Sequence, residues 1–280
     1  MLFTKMHGLG NDFVVIDSRE TRLENIASLA QQLCDRRFGV GADQILLLEK
    51  SAIADFKMRI FNADGSEVEM CGNGIRCLAK YVWDRNLSPK DILDIETLAG
   101  IIRPEKSGDM VKVDMGEPVF DPEKIPVHLP HPSSLIPHPS GGIVDYPLRI
   151  EDKELRITCV SMGNPHAVIF VERVDEFPVA YFGPIIEHYQ IFPKRTNVEF
   201  IEVISPSEVK MRVWERGSGE TMACGTGASA AAVAAHLKGL AGRKVVVHLL
   251  GGDLVIHWAD DNRVYMSGPA VEVFEGVFRS

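Results

Sequence analysis

Short runs of β-branched, aliphatic and aromatic residues, bounded by turn residues, recur along the whole chain. They occupy 13–17, 45–48, 58–61 and 110–115 in the first half and 167–171, 198–201, 210–214 and 245–249 in the second. Runs of this length and composition predict strands. Two segments follow another period. After Cys71, apolar residues fall at Ile75, Leu78, Ala79, Val82 and Trp83, which is helix spacing. After Cys224, residues 228–235 are small or apolar on every face, so the pattern predicts a helix enclosed by a sheet, ended by Gly239 and Gly242. The last apolar run, 271–278, predicts a strand that packs back on the first half.

These elements repeat. At a fixed offset of 153 residues, Lys57, Met58 and Arg59 fall on Lys210, Met211 and Arg212, Glu67 on Glu220, Cys71 on Cys224, Gly72 on Gly225 and Gly74 on Gly227. That is seven identities in eighteen ungapped positions, against roughly one expected from average composition. Upstream, Gly10-Asn11 falls on Gly163-Asn164, and Gln44 on Asn197. The expected fold is α+β, with two pseudo-symmetric units, each a curled, mostly antiparallel sheet around a central helix. Eight of the sixteen prolines lie between 118 and 148, which predicts an interdomain crossing. The expected division is therefore 1–117, with 270–280 packing on it, and 118–269.

Composition narrows the function. A chain of 280 residues, 45% hydrophobic and 25% charged, is long enough for two ordinary cores. A net charge of −9 with no long Lys/Arg run argues against nucleic acid as partner. Five cysteines without C-x-x-C spacing point away from a disulfide framework or zinc site and toward a reducing compartment. The N-terminal residues lack a signal-peptide layout, and no apolar run approaches the roughly 20 residues of a membrane span. The expectation is a cytoplasmic protein with no membrane partner and a small-molecule substrate. Gly8-Leu9-Gly10 lacks the third glycine of a dinucleotide fingerprint. His128, His131 and His138 read as solvated loop positions, so neither cofactor nor metal is expected.

A thiol just before a helix lies at the positive end of the helix dipole, which is expected to lower its pKa. First-turn amides freed by Gly72, Gly74, Gly225 and Gly227 can bind a carboxylate. Two such helix starts suit inversion of a stereocentre α to a carboxylate, with one thiol as base and the other as acid. Asn11, Asn62, Asn164 and Asn197, with Gln44, stand where amides can read a polar substrate. Arg216, after Glu215 and before a glycine-rich turn, suits a bidentate carboxylate clamp, with a surface ion pair as the alternative. His166 suits equally the tuning of a thiol and a capped loop position. Cys34, Cys77 and Cys159 read as structural.

Seven motifs together resemble the diaminopimelate epimerase family. They are His7-Gly8-Leu9-Gly10-Asn11-Asp12-Phe13, Asn62-Ala63-Asp64-Gly65-Ser66, Cys71-Gly72-Asn73-Gly74-Ile75-Arg76-Cys77, Gly163-Asn164-Pro165-His166, Arg195-Thr196-Asn197-Val198-Glu199-Phe200, Glu215-Arg216-Gly217 and Thr221-Met222-Ala223-Cys224-Gly225-Thr226-Gly227. The resemblance implies a cofactor-independent epimerase interconverting LL- and meso-2,6-diaminopimelate for lysine and peptidoglycan, usually homodimeric. By position it implies Cys71 and Cys224 as the acid/base pair and Gly72, Asn73, Gly225 and Thr226 as carboxylate-binding helix starts. It also implies Asn11, Gln44, Asn62, Asn164, Asn197, Glu215 and Arg216 as substrate contacts, and His166 and Glu215 as modulators of the thiols. The Pro- and His-rich segment near 128–142 looks longer than the family pattern. A proline or hydroxyproline racemase is the nearest rival, although those enzymes more often carry His where Asn73 stands. From another class, the two cysteines suit a redox dithiol.

Overall fold

The protein, seen here as a computed structural model, is described over residues 1–129 and 142–279. The crossing histidines His131 and His138 lie outside the described residues, while His128 is exposed. The chain forms two compact units, Met1–Asp114 with Ser267–Ser280, and Met115–Met266.

In unit 1 the chain runs β1 (Leu2–Gly8), β2 (Asn11–Asp17), α1 (Ile26–Cys34), β3 (Gln44–Glu49), β4 (Phe56–Asn62), β5 (Glu67–Val68), α2 (Gly72–Asp84), β6 (Ile95–Thr97) and β7 (Gly100–Ile102). A hairpin, β8 (Glu105–Ser107) and β9 (Met110–Asp114), follows. Unit 2 runs β10 (Tyr146–Ile150), β11 (Lys153–Ser161), β12 (Pro165–Phe170), α3 (Val179–Glu187), β13 (Asn197–Ser205), β14 (Glu208–Glu215), β15 (Gly219–Thr221), α4 (Gly225–Leu237), β16 (Lys244–Leu249) and β17 (Gly252–Trp258). β18 (Val264–Gly268) leads back, and β19 (Val271–Val277) pairs antiparallel with β1.

The strand order β19-β1-β2-β3-β4-β6-β7 of unit 1 is matched by β10-β11-β12-β13-β14-β16-β17 in unit 2. Only β2/β3 and β4/β6, and their counterparts β12/β13 and β14/β16, are parallel in these two series. The reason is connection length. Parallel neighbours need a crossover, and α1, α2, α3 and α4 each supply one, whereas the antiparallel neighbours, apart from β1 and the C-terminal β19, follow one another directly in the chain. The α+β duplication read from the sequence is therefore present in the topology.

α1 and α3 were not expected from the apolar pattern. Asn25, the residue capping α1, has φ +51° and makes no side-chain cap, and Pro184 interrupts the donor ladder of α3. Packing holds them instead: Ala30, Leu33 and Cys34 of α1, and Val179, Phe182 and Ile186 of α3, are buried in their units. At Gly183 an added Cβ would stand 2.5 Å from Trp214 Cγ, so only glycine lets α3 lie on β14. α4, buried from Gly227 through Ala235, packs on β11 to β14, β16 and β17. Its alanines let the sheet close around it on every side. α2 is buried on every side from Asn73 through Ala79 and packs on β1 to β4, β9 and β19.

Candidate active site

Both helix starts are built alike. Cys71 caps α2 in extended conformation (φ −138°, ψ 117°), and its sulfur accepts the Gly74 amide at 3.4 Å. Cys224 caps α4 (φ −127°, ψ 115°), and its sulfur accepts the Gly227 amide at 3.4 Å. A thiol here replaces the usual Ser or Asp cap, satisfying one orphan donor. The amides of Gly74 and Gly227 are thus engaged by sulfur, a correction to the reading that they are free for a carboxylate. Gly72, Asn73, Gly225 and Thr226 complete the two first turns, and the Thr226 hydroxyl lies 3.5 Å from the Cys224 sulfur.

In unit 1 the polar residues come from neighbouring strand ends: Asn11 opens β2, Gln44 opens β3 and Asn62 closes β4. Asn11 Oδ1 accepts from Asn73 Nδ2 at 3.2 Å and lies 3.7 Å from the Cys71 sulfur. Gln44 Nε2 donates to Asn62 Oδ1 at 2.8 Å. Gln44 Oε1 is buried with no hydrogen-bond partner among the described residues, an acceptor left open at the strand ends.

Unit 2 repeats the placement with different chemistry. Asn164 precedes β12, Asn197 opens β13 and Glu215 closes β14. Asn164 Oδ1 lies 2.8 Å from His166 Nε2. Asn197 is engaged at both ends, donating to Pro165 O at 2.9 Å and accepting the Arg216 amide at 2.9 Å, so it holds the turn that carries Arg216. Arg216 itself is exposed and reaches Lys194 O at 3.2 Å. Glu215 Oε1 accepts from the Thr221 hydroxyl at 2.5 Å.

Electrostatics overturn one expectation. The helix start does not lower the Cys224 thiol pKa. Burial pushes it well above its ordinary value, and the Glu215 and Glu199 charges push it further, against the weaker pull of the Thr226 hydroxyl and the Gly227 amide. Desolvation of a thiolate outweighs one turn of helix dipole. Burial likewise raises Cys34 to about 11 and Cys77 to about 12, and Cys159 moves in the same direction. All three thiols are buried and free of disulfides.

The sequence reading assigned no role to three further residues. Glu199 is wholly buried in β13, its Oε1 2.7 Å from His166 Nδ1. Its signal was a carboxylate inside the short apolar run 198–201. Glu187, at the end of α3, is buried and accepts from Trp214 Nε1 at 2.8 Å and from the Gly217 amide at 3.0 Å. Arg76 is wholly buried in α2 and donates to Gly72 O and Pro269 O, both at 3.2 Å. Its counterpart one repeat later, Ser229, donates to Gly225 O at 2.9 Å.

The chain matches the family model for diaminopimelate epimerase over residues 3–120 and 158–273. The diaminopimelate epimerase of Acetivibrio thermocellus is 52% identical over 282 residues, covering 99% of this chain and 98% of that protein. That of Methanococcus maripaludis strain C5 is 51% identical over 282 residues, covering 99% of each. Among solved structures, a PhzF-family phenazine biosynthesis protein from Bacillus anthracis superposes with TM-score 0.70 at 18% identity, covering 99% of this chain and 98% of that one. A hydroxyproline epimerase from Agrobacterium vitis, with bound trans-4-hydroxy-L-proline, gives TM-score 0.66 at 15% identity over 99% and 90%. At such identities these two structures share the fold.

Proposed function

We propose that this chain, which belongs to the diaminopimelate epimerase family, interconverts LL- and meso-2,6-diaminopimelate in lysine and peptidoglycan precursor biosynthesis by a two-thiol, cofactor-independent inversion. One thiolate removes the α-proton, the electron pair stays on the α-carbon beside its carboxylate, and the other thiol returns a proton to the opposite face. Cys71 and Cys224 are the acid/base pair in this reading. The observation that carries it is the equivalent capping of α2 and α4 by cysteine, with the same backbone conformation and the same sulfur–amide distance.

The remaining roles follow the family's motif positions. Gly72, Asn73, Gly225 and Thr226 bind the reacting carboxylate through helix-start amides, whose dipoles favour the developing negative charge. Asn11, Gln44, Asn62, Asn164, Asn197, Glu215 and Arg216 bind the rest of the substrate, Arg216 taking the distal carboxylate. His166 and Glu215 modulate the thiols. The functional halves are 1–117 with the C-terminal strand, and 118–269. We further propose a cytoplasmic homodimer. Support for the second copy comes from β19, an edge strand on which Val273, Phe274 and Val277 are exposed, an arrangement that single-chain proteins usually cover. Five free thiols suit a reducing compartment.

The deciding experiment offers LL-diaminopimelate and L-proline side by side, with no added cofactor, and follows both by chiral chromatography. Inversion of diaminopimelate alone supports the reading. Inversion of proline alone replaces it with the racemase alternative.

A further inference from the structure

Gly74 and Gly227 hold the same position one repeat apart, yet different groups press against them. A methyl group at Gly74 would touch Leu46 Cδ2 at 3.1 Å and Phe13 Cε1 at 3.5 Å. At Gly227 it would meet Glu199 Oε1 at 2.8 Å and the Cys224 sulfur at 3.3 Å. Leu46 and Phe13 stand one repeat before Glu199 and His166. An apolar pair behind one helix start is therefore a carboxylate–imidazole pair behind the other, joined at 2.7 Å and wholly buried.

Burying a carboxylate is costly, and the leucine of unit 1 shows that the fold accepts an apolar residue at that place. Glu199 Oε2 moreover has no hydrogen-bond partner among the described residues. We propose that Glu199 is a positioning residue of unit 2, which orients the His166 ring through Nδ1 and sets a carboxylate beside the Cys224 sulfur where unit 1 sets a leucine, so that the duplicated thiols are chemically unequal. The inference rests on Cys224 being one of the acid/base pair.

An ionised carboxylate only accepts hydrogen bonds, so His166 Nδ1 carries a hydrogen toward Glu199, while Nε2 stands 2.8 Å from Asn164 Oδ1, or from Nδ2 if that side-chain amide is turned over. A negative charge close to a thiol disfavours the thiolate. The ionisable groups facing Cys224 are Glu215 from β14 and Glu199 from β13. Those facing Glu199 are His166 from β12 and Glu215, and its charge is felt by Cys159 of β11 as well as by Cys224. Burial raises the Glu199 carboxyl itself, with His166 pulling it back. In unit 1 the buried charge near the thiol has the opposite sign: the Arg76 guanidinium interacts with Cys71. The two thiols hold repeat-matched positions, while the residues behind them differ.

The test compares full-length Cys71→Ala protein with its Glu199→Gln and Glu199→Asp derivatives. Alkylation of the Cys224 peptide by iodoacetamide is followed by mass spectrometry from pH 6 to 10. With the charge removed, Cys224 should react about threefold faster or more near pH 7.5, with its pH midpoint displaced downward, while the Asp variant stays near the parent. In protein with both cysteines, Glu199→Gln should lower kcat and shift the pH–rate profile with KM little changed. An alkylation profile unaltered by Glu199→Gln would overturn the inference even if the protein epimerises diaminopimelate. A shifted profile in a protein without epimerase activity would uphold the Glu199–Cys224 coupling and overturn the proposed reaction instead. Should Glu199→Gln fail to fold, nitrogen-15 NMR of histidine in the unaltered protein decides. A hydrogen on Nδ1 of His166 supports the arrangement, and an Nδ1 without hydrogen overturns it.

Discussion

Trp214 Nε1 donates to Glu187 Oε2 at 2.8 Å, and through that bond the end of α3 is fastened to the end of β14. The other carboxylate oxygen accepts the Gly217 amide at 3.0 Å, so Glu187 secures the chain on both sides of Arg216. Glu187→Ala leaves two donors without their acceptor, each worth about 1–3 kcal/mol where water cannot replace it. The expected result is a rise in KM of about tenfold with a smaller loss of kcat, because a loosened turn misplaces Arg216. Steady-state kinetics with diaminopimelate, beside thermal melts, measure this. Unchanged KM in a folded variant would separate Glu187 from substrate binding.

Gly227→Ala should damage the protein more than Gly74→Ala. The new methyl at 227 would press on a fixed carboxylate and on the cap sulfur, whereas at 74 its nearest neighbour is the terminal methyl of a leucine. Overpacking of this kind costs about 1–3 kcal/mol. The melting temperature and the alkylation of Cys224 should both change in the first variant, with a smaller loss of melting temperature in the second. Equal losses would mean that Glu199 moves aside freely.

Replacing either Cys71 or Cys224 by Ala should reduce inversion by about 10³-fold or more, since the proposed acid/base pair then lacks one half. In heavy water, early product of the unaltered enzyme should carry deuterium at the inverted carbon while recovered substrate carries little. Each single-cysteine variant should still exchange the α-hydrogen of one stereoisomer, and the two variants should prefer opposite isomers. Near-normal inversion by either one rules out a two-thiol mechanism.

Acid stability should report on Asp12. Burial alone would raise its pKa, but hydrogen bonds from Arg36 and Lys5, with their charges, outweigh this and bring it down to about 2. A carboxylate whose folded pKa is depressed stabilises the protein fully above its unfolded pKa of about 4, and that stabilisation fades as the pH falls through about 2. Asp12→Asn should therefore lower the urea midpoint at pH 7 and lower it less at pH 2.5. A gap between variant and parent that is constant with pH would place the effect in packing.

The sequence by itself determined the duplication, the strand runs and both cysteine helix starts. These are local: a two-residue or 3.6-residue period, a glycine where a turn must close, and an offset that places Asn11 on Asn164 and Cys71 on Cys224. It also marked the amides Gln44, Asn62 and Asn197, because strand ends are visible where an apolar run begins or closes. α1 and α3 were hidden, since a poor cap at Asn25 and Pro184 in mid-helix argue against helix, and only burial against the sheets overcomes them. Tertiary structure alone decided the state of the Cys224 thiol. Its ionisation depends on desolvation and on carboxylates from β13 and β14, groups distant along the chain whose distance from the sulfur no linear pattern records. The pairing of Glu199 with His166 was set in the same way, by the parallel register of β12 and β13, which brings two strands separated by a helix side by side.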